Sequence, residues 1–378
     1  MSNTTIRFAN KNAALFVDDV KARVAAYFEE TGRSRNADRR MLFKTLVLLG
    51  GSVGVYAAIL SGAFGPWAML GLSVLLGVGM AGIGFSVAHD ALHGAYSGNA
   101  RVNRWLGYTF DLVGANGYMW KITHNVIHHT YTNIPGVDED LTVSPLLRLS
   151  PGAPRTPIHR WQHVYCWFAY SLSTLNWVFV KDYQQFLKRD IGPYKDKKHS
   201  RREWTILVAS KLFAYFWMIV LPLAVLPITW WQFAVGFLAM HLTAGIILGV
   251  IFQLAHVVEG IAYPAPDSSG QMEHAWLVHE LHTTSNFAAR NKWLSWFIGG
   301  LNYQIEHHLF PQVCSVHYPA LSPLVRAAAE AHGIPYNYHP TLRAAMGSHY
   351  AMLKQLGRAR PTPAVPPVMD PGGRAALR

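Results

Sequence analysis

Trp67–His93, WAMLGLSVLLGVGMAGIGFSVAHDALH, decides the architecture. From Trp67 to Ala88 it is apolar and uncharged, long enough for a helix to cross a hydrocarbon core of about 30 Å. Its last five residues set His89 and His93 four apart, and on a helix side chains at i and i+4 share a face. The unit is a crossing helix that delivers two imidazoles at its end, and the rest of the chain is organised around it.

Three further segments have the same length and character: Leu42–Leu60, Thr205–Pro227 and Trp230–Gln253. Short uncharged links, SGAFGP and IT, join the four into two helical hairpins. Arg33, Arg35, Arg39 and Arg40 precede the first hairpin, and Lys195, Lys197, Lys198, Arg201 and Arg202 precede the second. Positive-inside bias puts those flanks in the cytoplasm, so both hairpins return there. Composition agrees: the 378 residues are 51% hydrophobic and 14% charged, against about 25% charged in soluble domains. Phe, Trp and Tyr make up 13%, which suits aromatic belts at two interfaces. The polar N-terminus is not a secretory signal. Cys166 and Cys314 are too few and too separated for a disulfide framework or a thiolate metal site. Nothing in the chain points to nucleic acid.

The predicted fold is an all-α integral membrane protein with four transmembrane helices in two hairpins, a cytoplasmic helical cap holding a metal site, and interfacial amphipathic helices. Residues 1–40 form a cytoplasmic segment, 41–356 the membrane domain, and 357–378, rich in Pro, Ala and Gly, a disordered tail. Trp105–Trp120 is apolar but broken by Asp111, Gly114, Asn116 and Gly117, and reads as a membrane-surface or re-entrant piece. Trp161–Val180 is long enough for a fifth span. An odd count would send the two hairpins in opposite directions, so it reads as an interfacial amphipathic helix.

Histidine recurs in the same spacing. His124, His128 and His129 stand in HNVIHH, His256 ends QLAH, and Gln304, His307 and His308 stand in QIEHH. On an α-helix His128 shares a face with His124, and His129 is expected about 100° further round, free to serve a second ion. Gln304 shares a face with His307. Imidazole suits Fe, Zn, Cu and Ni. Eight imidazoles exceed the four ligands that close a zinc site, which favours two metals, and two redox metals at a membrane suggest O₂ chemistry on a lipid. A lone histidine is more often a satisfied core residue; four clusters in repeated geometry are not. Asp90 and Glu306 are expected to hold imidazole N–H groups from behind, and His282 is a further candidate for support. Asp138, Glu139 and Asp140 read equally well as a solvated loop. His241, inside the last segment, is either functional or a neutral imidazole bonded to a neighbouring helix.

HDALHGAYS, HNVIHHTYTNIPGVDED, QLAHVVE and GGLNYQIEHHLFP closely resemble the membrane fatty acid desaturase family. Gln304 in place of a first histidine in the last box marks the front-end branch, typified by Δ6 and Δ5 acyl desaturases. TTSNFA (Thr283–Ala288) and HGIPYNYH (His332–His339) extend the resemblance, which runs from about Arg35 to Arg358. It implies a di-iron centre that uses O₂ and two electrons to remove two hydrogens from an acyl chain. The implied ligands are His89, His93, His124, His128, His129, His256, His307 and His308, with Gln304 in the ninth position, direct or through water. The substrate would be a fatty acyl group on a lipid, CoA or a carrier protein. The haem-binding HPGG of fused cytochrome b5 domains does not occur, so no bound haem is expected. Electrons would come from ferredoxin or free cytochrome b5. The net charge of +12 can steer an acidic carrier or bind anionic headgroups. The implied location is a membrane, bacterial inner membrane ahead of endoplasmic reticulum, with a cytoplasmic active site.

Two other classes use the same residues. A membrane hydroxylase or ketolase shares the boxes, since hydroxyl rebound after one abstraction gives an alcohol. A metal transporter would want ionisable residues along its spans, where only Lys44, Lys211 and His241 occur, both lysines near ends from which they can snorkel.

Overall fold

The computed structural model describes residues 6–9, 13–142 and 144–359. Among the described residues, four helices are long and apolar enough to cross a membrane: Arg39–Leu60, Pro66–Leu92, Arg201–Val225 and Trp230–His256. Each start is signalled locally. Asp38 accepts from the backbone N–H of Arg40 and Met41, Pro66 opens the second span, and Ser200 accepts from Glu203. Thr229 and Gln232 cap one another reciprocally.

The second and fourth spans form the centre of the bundle. Gly77 lets them approach, because a Cβ there would collide with the Met240 carbonyl, the small-residue contact that membrane helices use in place of a hydrophobic drive. Outward-facing Phe43, Leu46, Trp67, Leu212 and Trp230 are exposed, an apolar surface that lipid covers.

Neither middle segment is among the helices long and apolar enough to cross. Ala100–Leu112 is helical, reverses at Gly114 (φ 90°) and resumes at Gly117. Lys211, about 15 Å along the third span from Arg201, donates to the Gly114 carbonyl at 2.7 Å, so the break in this piece packs against the third span. Trp161–Val180 departs from the expected surface helix. It is broken into Gln162–Ser171, Ser173–Asn176 and Trp177–Lys181. It leans on the middle of the fourth span, where Thr174 donates to the His241 carbonyl at 2.7 Å and Ser173 to that of Gly245 at 3.1 Å. Its other face carries exposed Val164, Phe168 and Phe179. His241 itself bonds Thr174. The lysines do not snorkel: Lys211 is buried against Asp182 at 2.7 Å, and buried Lys44 lies over the Trp296 ring.

All the histidine clusters lie at one end of the bundle, under a cap of short helices. Ala14–Thr31, Trp276–Thr283, Gln304–Leu309 and Tyr318–Ala331 share one apolar core that includes Phe16, Val20, Leu281, Ile305, Leu321 and Val325. Two small parallel ladders tie distant segments together. β1 (Arg7–Phe8) pairs with β2 (Gln271–Met272), and β3 (Ser285–Phe287) with β4 (Asn337–His339). The second ladder joins the TTSNFA and HGIPYNYH stretches. The last helix runs Leu342–Arg358, so the first two residues of the expected tail are helical, while 360–378 lie outside the described residues.

Candidate metal centre

The backbone that delivers the histidines is wound more loosely than an α-helix. The second span turns into a π-helix at Ile83–Ala88, and the N–H of His89 reaches back to Gly84. Lys121–His128 is π-helical throughout, with His129 N–H bonding the His124 carbonyl at 3.1 Å. An i→i+5 ladder takes more than four residues per turn, so His128 and His129 both come close beneath His124. The ring of His129 lies 4.9 Å from that of His124, and the ring of His128 5.0 Å. The third box starts its own helix at Gln304, after a turn through Gly299 (φ 63°) and Gly300 (φ 69°). A Cβ on Gly299 would strike the Phe85 carbonyl, so glycine lets this turn press against the second span.

Seven of the eight imidazoles fall into two groups, which His124 and His128, together with Asp140, also link. Ligand atoms of His89, His93, His124 and His307 lie within 4.8 Å of one another, as do those of His128, His256 and His308. His129 stands between, 4.6 Å from the His307 ring and 4.3 Å from that of His308. Gln304 is buried one turn before the paired histidines.

Six of the eight are held through Nδ1. His89 meets Asp90 at 3.3 Å, His124 Asp140 at 3.0 Å and His128 Asp138 at 2.9 Å. His256 meets the Thr283 carbonyl at 3.2 Å, His307 the Tyr318 hydroxyl at 3.2 Å and His308 Glu280 at 2.8 Å. With Nδ1–H donating, the Nε2 of each neutral ring keeps its lone pair. The Nε2 atoms of His89, His93, His124, His307 and His308, and both nitrogens of His129, are buried without a partner. Buried polar atoms are nearly always paired, and an outside grip on one nitrogen with the other left bare is how metal-binding histidines are held. The residues therefore fit two metal ions, one per group, with His129 within reach of both.

Electrostatics keep the site ready for cations. Burial, reinforced by neighbouring imidazoles, holds His93, His129, His307 and His308 well below the usual histidine range, and His124 falls to about 4 despite Asp140. Neutral imidazole is the binding form. His128 is the exception: burial opposes its charge, but Asp138, Asp140 and Glu280 together outweigh burial and lift it to about 9.

Several supports differ from those expected. Asp90 touches His89 and also accepts from Ser315 and Cys314. Glu306 turns away from the imidazoles to accept from Asn286 and Tyr336, both at 2.7 Å, because its neighbours His307 and His308 occupy the inward face. His282 joins neither group; it stacks on His274 at 4.7 Å near the surface. For Asp138 and Asp140, where a hold on imidazole and a solvated loop both stood open, the first is found: they grip His128 and His124, whereas Glu139 bonds the Gly192 amide. Glu280 and Tyr318 had no signal beyond a lone acid in WLVHELH and an aromatic after the last box.

Residues 65–340 match the fatty acid desaturase family. Among curated proteins, the sn-1 linoleoyl-lipid 6-desaturase of Synechocystis sp. is 36% identical over 359 residues, covering 94% of this chain and 98% of the relative. The enzyme of the same name from Arthrospira platensis is 33% identical over 94% of the chain and 96% of its own length. An acyl-lipid (8-3)-desaturase of Physcomitrium patens is 34% identical over 93% of the chain and 74% of its own length.

Proposed function

This chain belongs to the fatty acid desaturase family and desaturates fatty acids, and from that premise we propose that it is a front-end acyl-lipid desaturase with two irons. The carrying observation is the pair of imidazole groups, with bare, buried Nε2 atoms on all four rings of the first and on His308 of the second. His89, His93, His124 and His307 would hold one iron, and His128, His256 and His308 the other, with His129 between them and Gln304 beside them. When bound, such a pair activates O₂. The net change converts CH₂–CH₂ in the acyl chain to a cis CH=CH, and O₂ takes up those two hydrogens, two external electrons and two protons to leave two waters.

The protein's part is positioning. Asp90, Asp140, Asp138, Glu280, Tyr318 and the Thr283 carbonyl fix ring orientation, so the imidazoles are preorganised for their ions. Trp120, stacked on His124 at 4.4 Å, walls the first group on one side. Electrons arrive from a separate carrier, ferredoxin or free cytochrome b5. The site faces the cytoplasm, with Arg39, Arg40, Arg201 and Arg202 at the same end of the spans. The acyl group is linked to a lipid, as the names of the relatives state for theirs.

Expression in a host with a matching carrier, followed by mass spectrometry of the lipids, tests the reading. A new double bond between the carboxyl end and an existing one is the expected product. A hydroxylated chain would instead favour the hydroxylase alternative.

A further inference from the structure

The second imidazole group depends on a residue that is neither a histidine nor an acid. Asn133 follows the second box by four positions, is almost fully buried, and holds a left-handed backbone (φ 57°) that asparagine tolerates better than most residues. Its N–H donates to Asp138 Oδ2 at 2.9 Å, the oxygen that also takes His128 Nδ1. Its side-chain amide donates to the His256 carbonyl at 2.9 Å and lies 3.3 Å from the Thr283 carbonyl, which in turn accepts from His256 Nδ1. One residue thus reaches the supports of two group members from different segments of the chain. The preceding Thr132 reaches the third, donating to Glu280 Oε2 at 2.8 Å beside His308. Asp90, Asp140 and Tyr318, which hold His89, His124 and His307 of the first group, make no hydrogen bond to Asn133.

We infer that Asn133 is the positioning residue of the second metal group: its backbone N–H fixes Asp138 behind His128 and its side-chain amide fixes His256, so removing the side-chain amide frees His256, empties that position and spares the other. This rests on the two-metal reading of the site but not on any product being formed.

Cobalt(II) uptake by the purified full-length chain tests it, read by metal per chain and by the ligand-field absorption of each bound ion. Two variants separate side chain from backbone. Asn133→Gly keeps the left-handed conformation and deletes the amide. Asn133→Asp keeps size and backbone but cannot donate to the two carbonyls. Leu76→Ala, in the span core, serves as a control for general destabilisation. The wild type is expected to bind about two ions, and both Asn133 variants about half as much, with one absorption component lost and the other unchanged. Their unfolding midpoints should stay at or above that of Leu76→Ala, which keeps both ions. Full uptake by Asn133→Gly, or a proportional loss of both components, would overturn the inference, as would a wild type that binds a single ion. Because no turnover is needed, a preparation that binds two ions but makes no desaturated lipid counts against the proposed reaction alone.

Discussion

Glu280 Oε2 lies 2.8 Å from Nδ1 of His308, with both side chains fully buried. The acid comes from Trp276–Thr283, a helix that contributes no imidazole to either group. Burial holds its carboxyl well above the usual range, so it acts as a fixed hydrogen-bonding partner for His308 and, with Thr132, closes the back of the second group.

Glu280→Ala should therefore weaken metal binding about 10- to 100-fold and leave membrane insertion intact. Equilibrium dialysis against a graded chelator measures the shift. Unchanged retention would remove Glu280 from the support of the site.

The purified protein should contain about two irons per chain. His93→Ala and His308→Ala, one from each group, should each lose iron and abolish desaturation. Elemental analysis of anaerobic preparations decides this, and zinc in place of iron would overturn the di-iron assignment.

Gln304 supplies an amide oxygen, a weaker donor than an imidazole nitrogen. If it sits against a metal, Gln304→His should retain iron and part of the activity, while Gln304→Ile, of similar bulk but with no donor, should lose both. Iron content and product yield are compared for the two variants, and full activity in Gln304→Ile would take this residue out of the site.

The Lys211–Asp182 pair is buried at 2.7 Å, and Lys211 also donates to the Trp177 and Val178 carbonyls. Breaking a buried pair by removing one partner costs about 3–5 kcal/mol, whereas replacing both with apolar residues is often neutral. Asp182→Leu should accordingly lower the unfolding midpoint far more than Asp182→Leu combined with Lys211→Met. Equal losses would show that the carbonyl contacts of Lys211, not the ion pair, carry the effect.

Local features are legible in the sequence. The four spans are continuous apolar runs, and His89 and His93 stand at a spacing that any helix brings together. The place of His129 is not legible, because only the backbone reveals that Lys121–His128 is π-helical. Asp138 and Asp140 sit in a loop whose composition looks solvated, and it is the fold back onto His128 and His124 that buries their contacts. Glu280 and Asn133 act across the chain, 28 residues from His308 and 123 from His256, and no periodicity records such distances. Trp161–Val180 differs from its surface-helix expectation for the same reason. Its polar residues suggest an aqueous face, but Ser173 and Thr174 spend their hydroxyls on the fourth span.

The π-helical run has an evolutionary consequence. A π-helix accommodates a residue that an α-helix would have no room for. Deleting one residue between His124 and His128 would let the segment relax to α, where His129 would take the i+4 place beneath His124 and His128 would move to i+3. Inserting one there would carry both histidines a position further from it. The spacing inside HNVIHH is thus welded to a backbone geometry, and gaps between related sequences should fall outside this run, in the flanking loops. A homologue with a gap inside it would have to bind its metals with a different set of side chains.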